Sequence, residues 1–170
     1  MNLQKNIVFI GMPGSGKTTI AKNIAKIHGL KLYDTDEYIE KKEGKTITDI
    51  FKQGESYFRK LETQVVKEIS SEKSVVISTG GGVIKSLDNM KYLKENGIVL
   101  FINRPIEDII KDVDTVNRPL LKGTKEHLYK LYDERFHLYK GYCDYEIIND
   151  KDLKYVLDNI LNIIRKFSNE

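Results

Sequence analysis

The stretch from Gly11 to Thr18, GMPGSGKT, satisfies the pattern G-x-x-x-x-G-K-[ST] in full. It stands directly after an apolar run, Asn6 to Ile10, and directly before a helical pattern from Thr18 to His28. Glycines at this spacing let the backbone curl so that successive N–H groups point inward at phosphate oxygens, and the helix start adds positive potential. A lysine next to that start can reach the outer phosphates of a nucleotide, and a threonine hydroxyl can occupy a Mg²⁺ position. Gly14, Ser15, Gly16, Lys17, Thr18 and Thr19 are therefore the expected ATP-binding residues, with Lys17 catalytic and Thr18 a metal ligand. A glycine-rich turn without a ligand is the competing reading.

A second set of residues could serve a phosphoryl acceptor. Asp34 and Asp36 follow a short second strand. In an extended segment residues i and i+2 project the same way, so both carboxylates can face one cleft. One can hold Mg²⁺ through water while the other takes a hydroxyl proton. The alternative for Asp36 is a simple cap on the helix that follows. Gly80, Gly81 and Gly82 come straight after a buried strand and would let backbone N–H groups approach a ligand closely. Arg59 has Glu62 three residues on, which can hold its guanidinium on a helix face or form an ordinary exposed pair. Arg135 lies on a late helix, where it could equally be a solvated charge. Two arginines converging on one carboxylate would supply the bidentate geometry that lysine cannot. Arg118 sits in a polar segment, residues 112–125, that reads as a mobile lid carrying an arginine to the phosphates.

The elements that must position these groups alternate in type along the chain. Strands are expected at residues 6–10, 30–33, 74–78, 98–102 and 145–148, separated by helical patterns. That alternation predicts a three-layer α/β/α fold with a mostly parallel sheet, whose ligands sit at the carboxyl ends of the strands. In the last helix Leu153, Val156, Leu157, Ile160, Ile163, Ile164 and Phe167 recur at helical spacing and predict a core-facing stripe. With 170 residues and no linker-like segment, the chain reads as one domain, with an acceptor-binding region at about 35–62.

Composition narrows the class. A net charge of +3 is too weak to argue for nucleic acid. There is no bilayer-length apolar run and no secretory leader pattern, and the single cysteine, Cys143, suits a reducing compartment. A cytoplasmic monomer without a membrane partner is the expectation. Switch GTPases need D-x-x-G, and no Asp here has Gly three positions on; Asn149 to Asp152 has the letters of N-K-x-D in the wrong order. The third strand runs into Ser78 and the glycines, where motor ATPases usually carry an acidic pair. What remains is a kinase for a small acceptor.

Taken in order, GMPGSGKT, Asp34 and Asp36, Phe51-x-x-Gly54-Glu55-x-x-Phe58-Arg59-x-x-Glu62, Gly80 to Gly82, Arg118-Pro-Leu-Leu121 and Arg135-x-x-x-Tyr139 resemble the shikimate kinase family over nearly the whole chain. The resemblance implies a five-stranded parallel sheet of order 2-3-1-4-5. It also implies transfer of the γ-phosphoryl of MgATP to the 3-hydroxyl of shikimate, a step of chorismate and aromatic amino-acid biosynthesis. By the same resemblance Asp36, Arg59, Gly80, Gly81, Gly82 and Arg135 contact shikimate, Asp36 being the base and the two arginines the carboxylate clamp. Asp34 belongs to the outer Mg²⁺ shell, Phe51, Phe58 and Glu62 shape the pocket, and Arg118 is the lid arginine. The chain departs from many relatives at Lys111, where they place an arginine against adenine, and at residues 149–152. Gluconate or nucleoside monophosphate kinases, and a regulator that binds ATP without turnover, are the alternatives.

Overall fold

The computed structural model describes residues 2–115 and 125–169, so Arg118 and most of the expected lid lie outside the described residues. Five strands form one parallel sheet: β1 (Asn6–Ile10), β2 (Lys31–Asp34), β3 (Val75–Ser78), β4 (Gly97–Asn103) and β5 (Tyr145–Ile148). Their order is β2-β3-β1-β4-β5, as the resemblance implies. β1 is central and buried along its whole length. That is why it reads as an apolar run after its first residue, with helices covering both sheet faces.

Alternation along the strands divides the interior in two. Val8 and Ile10 of β1, with Ile77, Val99 and Phe101, face α3 (Ile47–Phe51), α4 (Glu55–Ser70), α5 (Leu87–Asn96) and α7 (Lys125–Tyr142). Ile7 and Phe9, with Val76, Leu100 and Ile102, face α1 (Lys17–His28) and α8 (Leu153–Arg165). On α8, Val156, Ile160 and Ile164 are fully buried, and Leu157 and Ile163, with Phe167 just past the helix end, pack at the edge of that core. Leu153 departs from the expected stripe: it begins the helix, is 40% exposed, and borders a surface cleft.

Register places the site. Ser78 at the end of β3 lies opposite both Phe9 of β1 and Asp34 of β2. The phosphate loop after β1, the glycine run after β3 and the aspartates after β2 therefore emerge side by side. Away from the sheet, Asn2–Leu3 pairs antiparallel with Ser168–Asn169, a ladder too short for any periodicity to announce. Among the described residues no helix is long and apolar enough to cross a membrane.

Candidate active site

The phosphate loop turns on glycines that no other residue could replace without strain. Gly16 caps α1 at φ 94°, a left-handed conformation, with Asn149 Nδ2 only 2.9 Å from where a Cβ would stand. Inside the curl, Lys17 Nζ donates to Gly11 O at 2.9 Å and to Met12 O at 2.8 Å. Burial pushes the Lys17 ammonium down to about 8, against the pull of Asp36 and Asp34. The loop is also held from outside. Arg104 Nη1, just past β4, donates to Gly14 O at 3.1 Å and to Asp112 at 2.6 Å; Asn149 Nδ2, just past β5, donates to Ser15 O at 2.8 Å. Arg104, Asn149, Gly16 and Thr19 line one cleft of about 330 Å³. The sequence reading gave Arg104 no role, since an arginine after a strand has no distinctive signature.

Thr18 and the two aspartates meet as expected, but by a different local route. α2 (Thr35–Glu43) begins immediately after β2, and its N-cap is Asp34, which accepts from the N–H groups of Asp36 at 3.1 Å and Glu37 at 3.4 Å. The segment is therefore not extended through Asp36, and the i, i+2 argument does not hold. Asp36 instead enters the cleft from the first helical turn, and the capping reading belongs to its neighbour. Asp34 has a second oxygen to spare, and Oδ2 accepts from Thr18 Oγ1 at 2.9 Å. Ser78 Oγ lies 3.3 Å from the same hydroxyl.

Opposite the loop, α4 lays Phe58, Val65, Val66 and Ile69 into the core at helical spacing, with Glu62 in the middle of that face. A carboxylate buried so deeply requires a charged partner. Arg59 Nη1 supplies it at 2.8 Å, with side-chain exposures of 22% for Arg59 and 1% for Glu62. The exposed-pair reading of Arg59 is thus set aside. Its guanidinium also donates to Glu55 and lies against Gly82, where a Cβ would come within 2.6 Å of Nη1. At Gly80 a Cβ would meet Asp36 Oδ1 at 2.9 Å. The Gly80 N–H is tied to Thr35 Oγ1 at 2.9 Å, and Thr79 Oγ1 to Phe9 O at 2.8 Å, so the glycine run is anchored at its start. Thr35, fully buried between the two aspartates, is a supporting residue that sequence reasoning passed over.

A cavity of about 250 Å³ brings Lys17, Thr18, Asp34, Asp36, Arg59 and the three glycines together, with Phe51, Phe58 and Glu62 in its wall. Arg135 stands on α7 close enough for its charge to act on Lys17, Glu62 and the Tyr139 phenol. Burial, reinforced by Asp34 and Glu62, pushes the Asp36 carboxyl up to about 6. Asp36 Oδ1 and Glu62 Oε1 are buried and have no hydrogen-bond partner among the described residues. Among those residues there is also no cluster of three or more His, Cys, Asp or Glu able to hold an ion. Thr18 and Asp34 offer hard oxygen donors, which fits a Mg²⁺ that relies on water and phosphate for most of its shell.

A central parallel strand running into a phosphate loop, with a basic, carboxylate-bearing acceptor cavity beside it, defines a P-loop kinase for small molecules. Residues 13–165 match the family described as shikimate kinase. A shikimate kinase of Clostridium botulinum (strain Alaska E43 / Type E3) is 50% identical over 161 residues, covering 94% of this chain and 98% of the relative. The shikimate kinase of Acinetobacter baumannii, solved in complex with shikimate, superposes with a TM-score of 0.89 at 35% identity, covering 98% of this chain and 96% of that one. The chain belongs to the shikimate kinase family. A gluconokinase from Sinorhizobium meliloti, at 13% identity and a TM-score of 0.66, shares the fold alone.

Proposed function

We propose that this chain, a monomer in the cytoplasm, transfers the γ-phosphoryl of MgATP to the 3-hydroxyl of shikimate, releasing ADP and shikimate 3-phosphate. The observation that carries the reading is one cavity holding Lys17, Asp36 and an Arg59 braced by buried Glu62. A carboxylate acceptor fits the guanidinium wall, and a ring hydroxyl fits Asp36 Oδ1, which is buried without a partner among the described residues. Above about pH 6 Asp36 is ionised and can take the hydroxyl proton as the new O–P bond forms and the bond to the β-phosphate oxygen breaks. Lys17 neutralises charge on the transferring group, with Arg118 joining it as the family resemblance implies. Thr18 would bind Mg²⁺ directly and Asp34 through water, the ion shielding the phosphate charge when bound. Arg59 and Arg135 hold the acceptor carboxylate, and the rest is positioning. A coupled assay for ADP release with shikimate, gluconate, AMP or no acceptor tests this. Turnover with shikimate alone is expected; turnover with another acceptor, or with none, defeats the proposal.

A further inference from the structure

β4 and β5 end level with each other. Asn103 is in register with Ile148, and the Asn149 N–H donates to Asn103 O at 2.8 Å. Arg104 and Asn149, the next residue after each strand, therefore emerge side by side at the carboxyl edge of the sheet, next to the loop that follows β1. Each commits its side chain to one carbonyl of that loop. Arg104 Nη1 takes Gly14 O while Asp112 steadies it, its side chain only 24% exposed. Asn149 Nδ2 takes Ser15 O, and the bare Cα of Gly16 leaves room for it. The two carbonyls belong to consecutive peptide units.

In a trans peptide the C=O of one residue and the N–H of the next point in opposite directions within one plane. Holding Gly14 O from outside thus turns the Ser15 N–H into the curl, and holding Ser15 O turns the Gly16 N–H the same way. The first of these is visible: Ser15 N–H donates to Met12 O at 3.1 Å, the carbonyl that Lys17 Nζ reaches from within the loop at 2.8 Å. Gly14 and Gly16 flank these peptides at φ 79° and 94°, and glycine resists rotation of its peptides less than any other residue. A flipped peptide would aim a carbonyl oxygen at the place of a phosphate oxygen. We propose that Arg104 and Asn149 are positioning residues for the nucleotide: from outside the loop they lock two successive peptide planes, so that the amides meet a polyphosphate already turned inward. The cation and the carboxamide also polarise the peptides they hold, which makes the N–H groups stronger donors. The proposal rests on the reading of the loop as the ATP site.

Asn149→Ala removes one clamp without changing any charge and keeps the backbone bond to Asn103; Arg104→Met removes the other. Steady-state kinetics should show ATP KM raised about fivefold in the first and about tenfold in the second. Inorganic tripolyphosphate and adenosine, as competitive inhibitors against ATP, separate the phosphate tail from the base and ribose. In both variants the tripolyphosphate Ki should rise by the same factor as the ATP KM, with the adenosine Ki within twofold of wild type. An adenosine Ki that rises with a constant tripolyphosphate Ki would make the two residues direct contacts of the nucleoside, and a rise in both would mean general damage; either overturns the proposal. Nitrogen-15 NMR of the wild-type protein gives a reading that needs no variant to fold: on adding tripolyphosphate the Gly16 amide proton should move downfield, and an unmoved signal overturns the proposal. A wild-type chain that binds neither ATP nor tripolyphosphate would bring down the reading of the loop as well. Normal wild-type binding with an unchanged tripolyphosphate Ki in Asn149→Ala brings down this inference alone.

Discussion

Asp36→Asn should make the ligand-free protein more stable at neutral pH while destroying its activity. The Asp36 carboxyl rises from an ordinary 3.8 to about 6, chiefly through burial and then through Asp34 and Glu62. A folded-state value above the unfolded one means that folding favours the protonated form. The contribution of Asp36 is therefore fully favourable below about pH 4 and is lost as pH rises through 6. A shift of about two units corresponds to about 3 kcal/mol of cost carried by the ionised group above pH 7. Asparagine carries no charge at any pH, so it should recover up to that amount. In a domain of this size the gain appears as a rise of roughly 6–12 °C in Tm. Urea denaturation of both proteins in EDTA, at intervals from pH 4 to 8, gives the difference directly. The two stability curves should lie together near pH 4 and separate as pH rises, the variant above. A gap that does not vary with pH, or a wild type that is the more stable at pH 8, would refute the electrostatic account of Asp36.

Two further outcomes follow from the same cavity. Lys17 titrates at about 8 because burial opposes its charge, and a phosphate tail restores the ammonium. ATP binding at pH 8 should therefore take up a fraction of a proton, seen as a buffer-dependent calorimetric enthalpy; no buffer dependence would contradict it. Gly82→Ala puts a methyl group against the Arg59 guanidinium, so shikimate KM should rise at least tenfold with ATP KM nearly unchanged. A normal shikimate KM there would remove Arg59 from the acceptor clamp.

Strong local signals made much of this architecture legible. Asn6 to Ile10 is apolar at every residue but the first because β1 is covered on both faces, and the phosphate loop has a fixed place after such a strand. Asp36, Arg59 and the glycine run were found from residue type and order. Their geometry was less accessible: whether α2 starts at Thr35 or after Asp36 turns on one capping bond, and helix boundaries shift easily by a residue. The partners Arg104, Asn149, Thr35 and Tyr139 are single polar residues whose role depends on which backbone atom comes within reach. Gly14 O lies 90 residues before the arginine that grips it, a separation no periodicity spans.

The order of the strands also separates two tasks. Beyond the phosphate loop, the acceptor cavity is lined by the chain that follows β2 and β3, from Asp34 to Glu62 and from Thr79 to Gly82, on one flank of β1, whereas Arg104 and Asn149 follow β4 and β5 on the other. Mutations in the α4 part of the acceptor wall therefore leave the Arg104 and Asn149 supports of the phosphate loop untouched, so a lineage can reshape that wall while keeping those two grips. α7 is the exception, since it crosses above Phe101 to touch the glycine run. A change of substrate in this scaffold should leave its clearest evolutionary trace there.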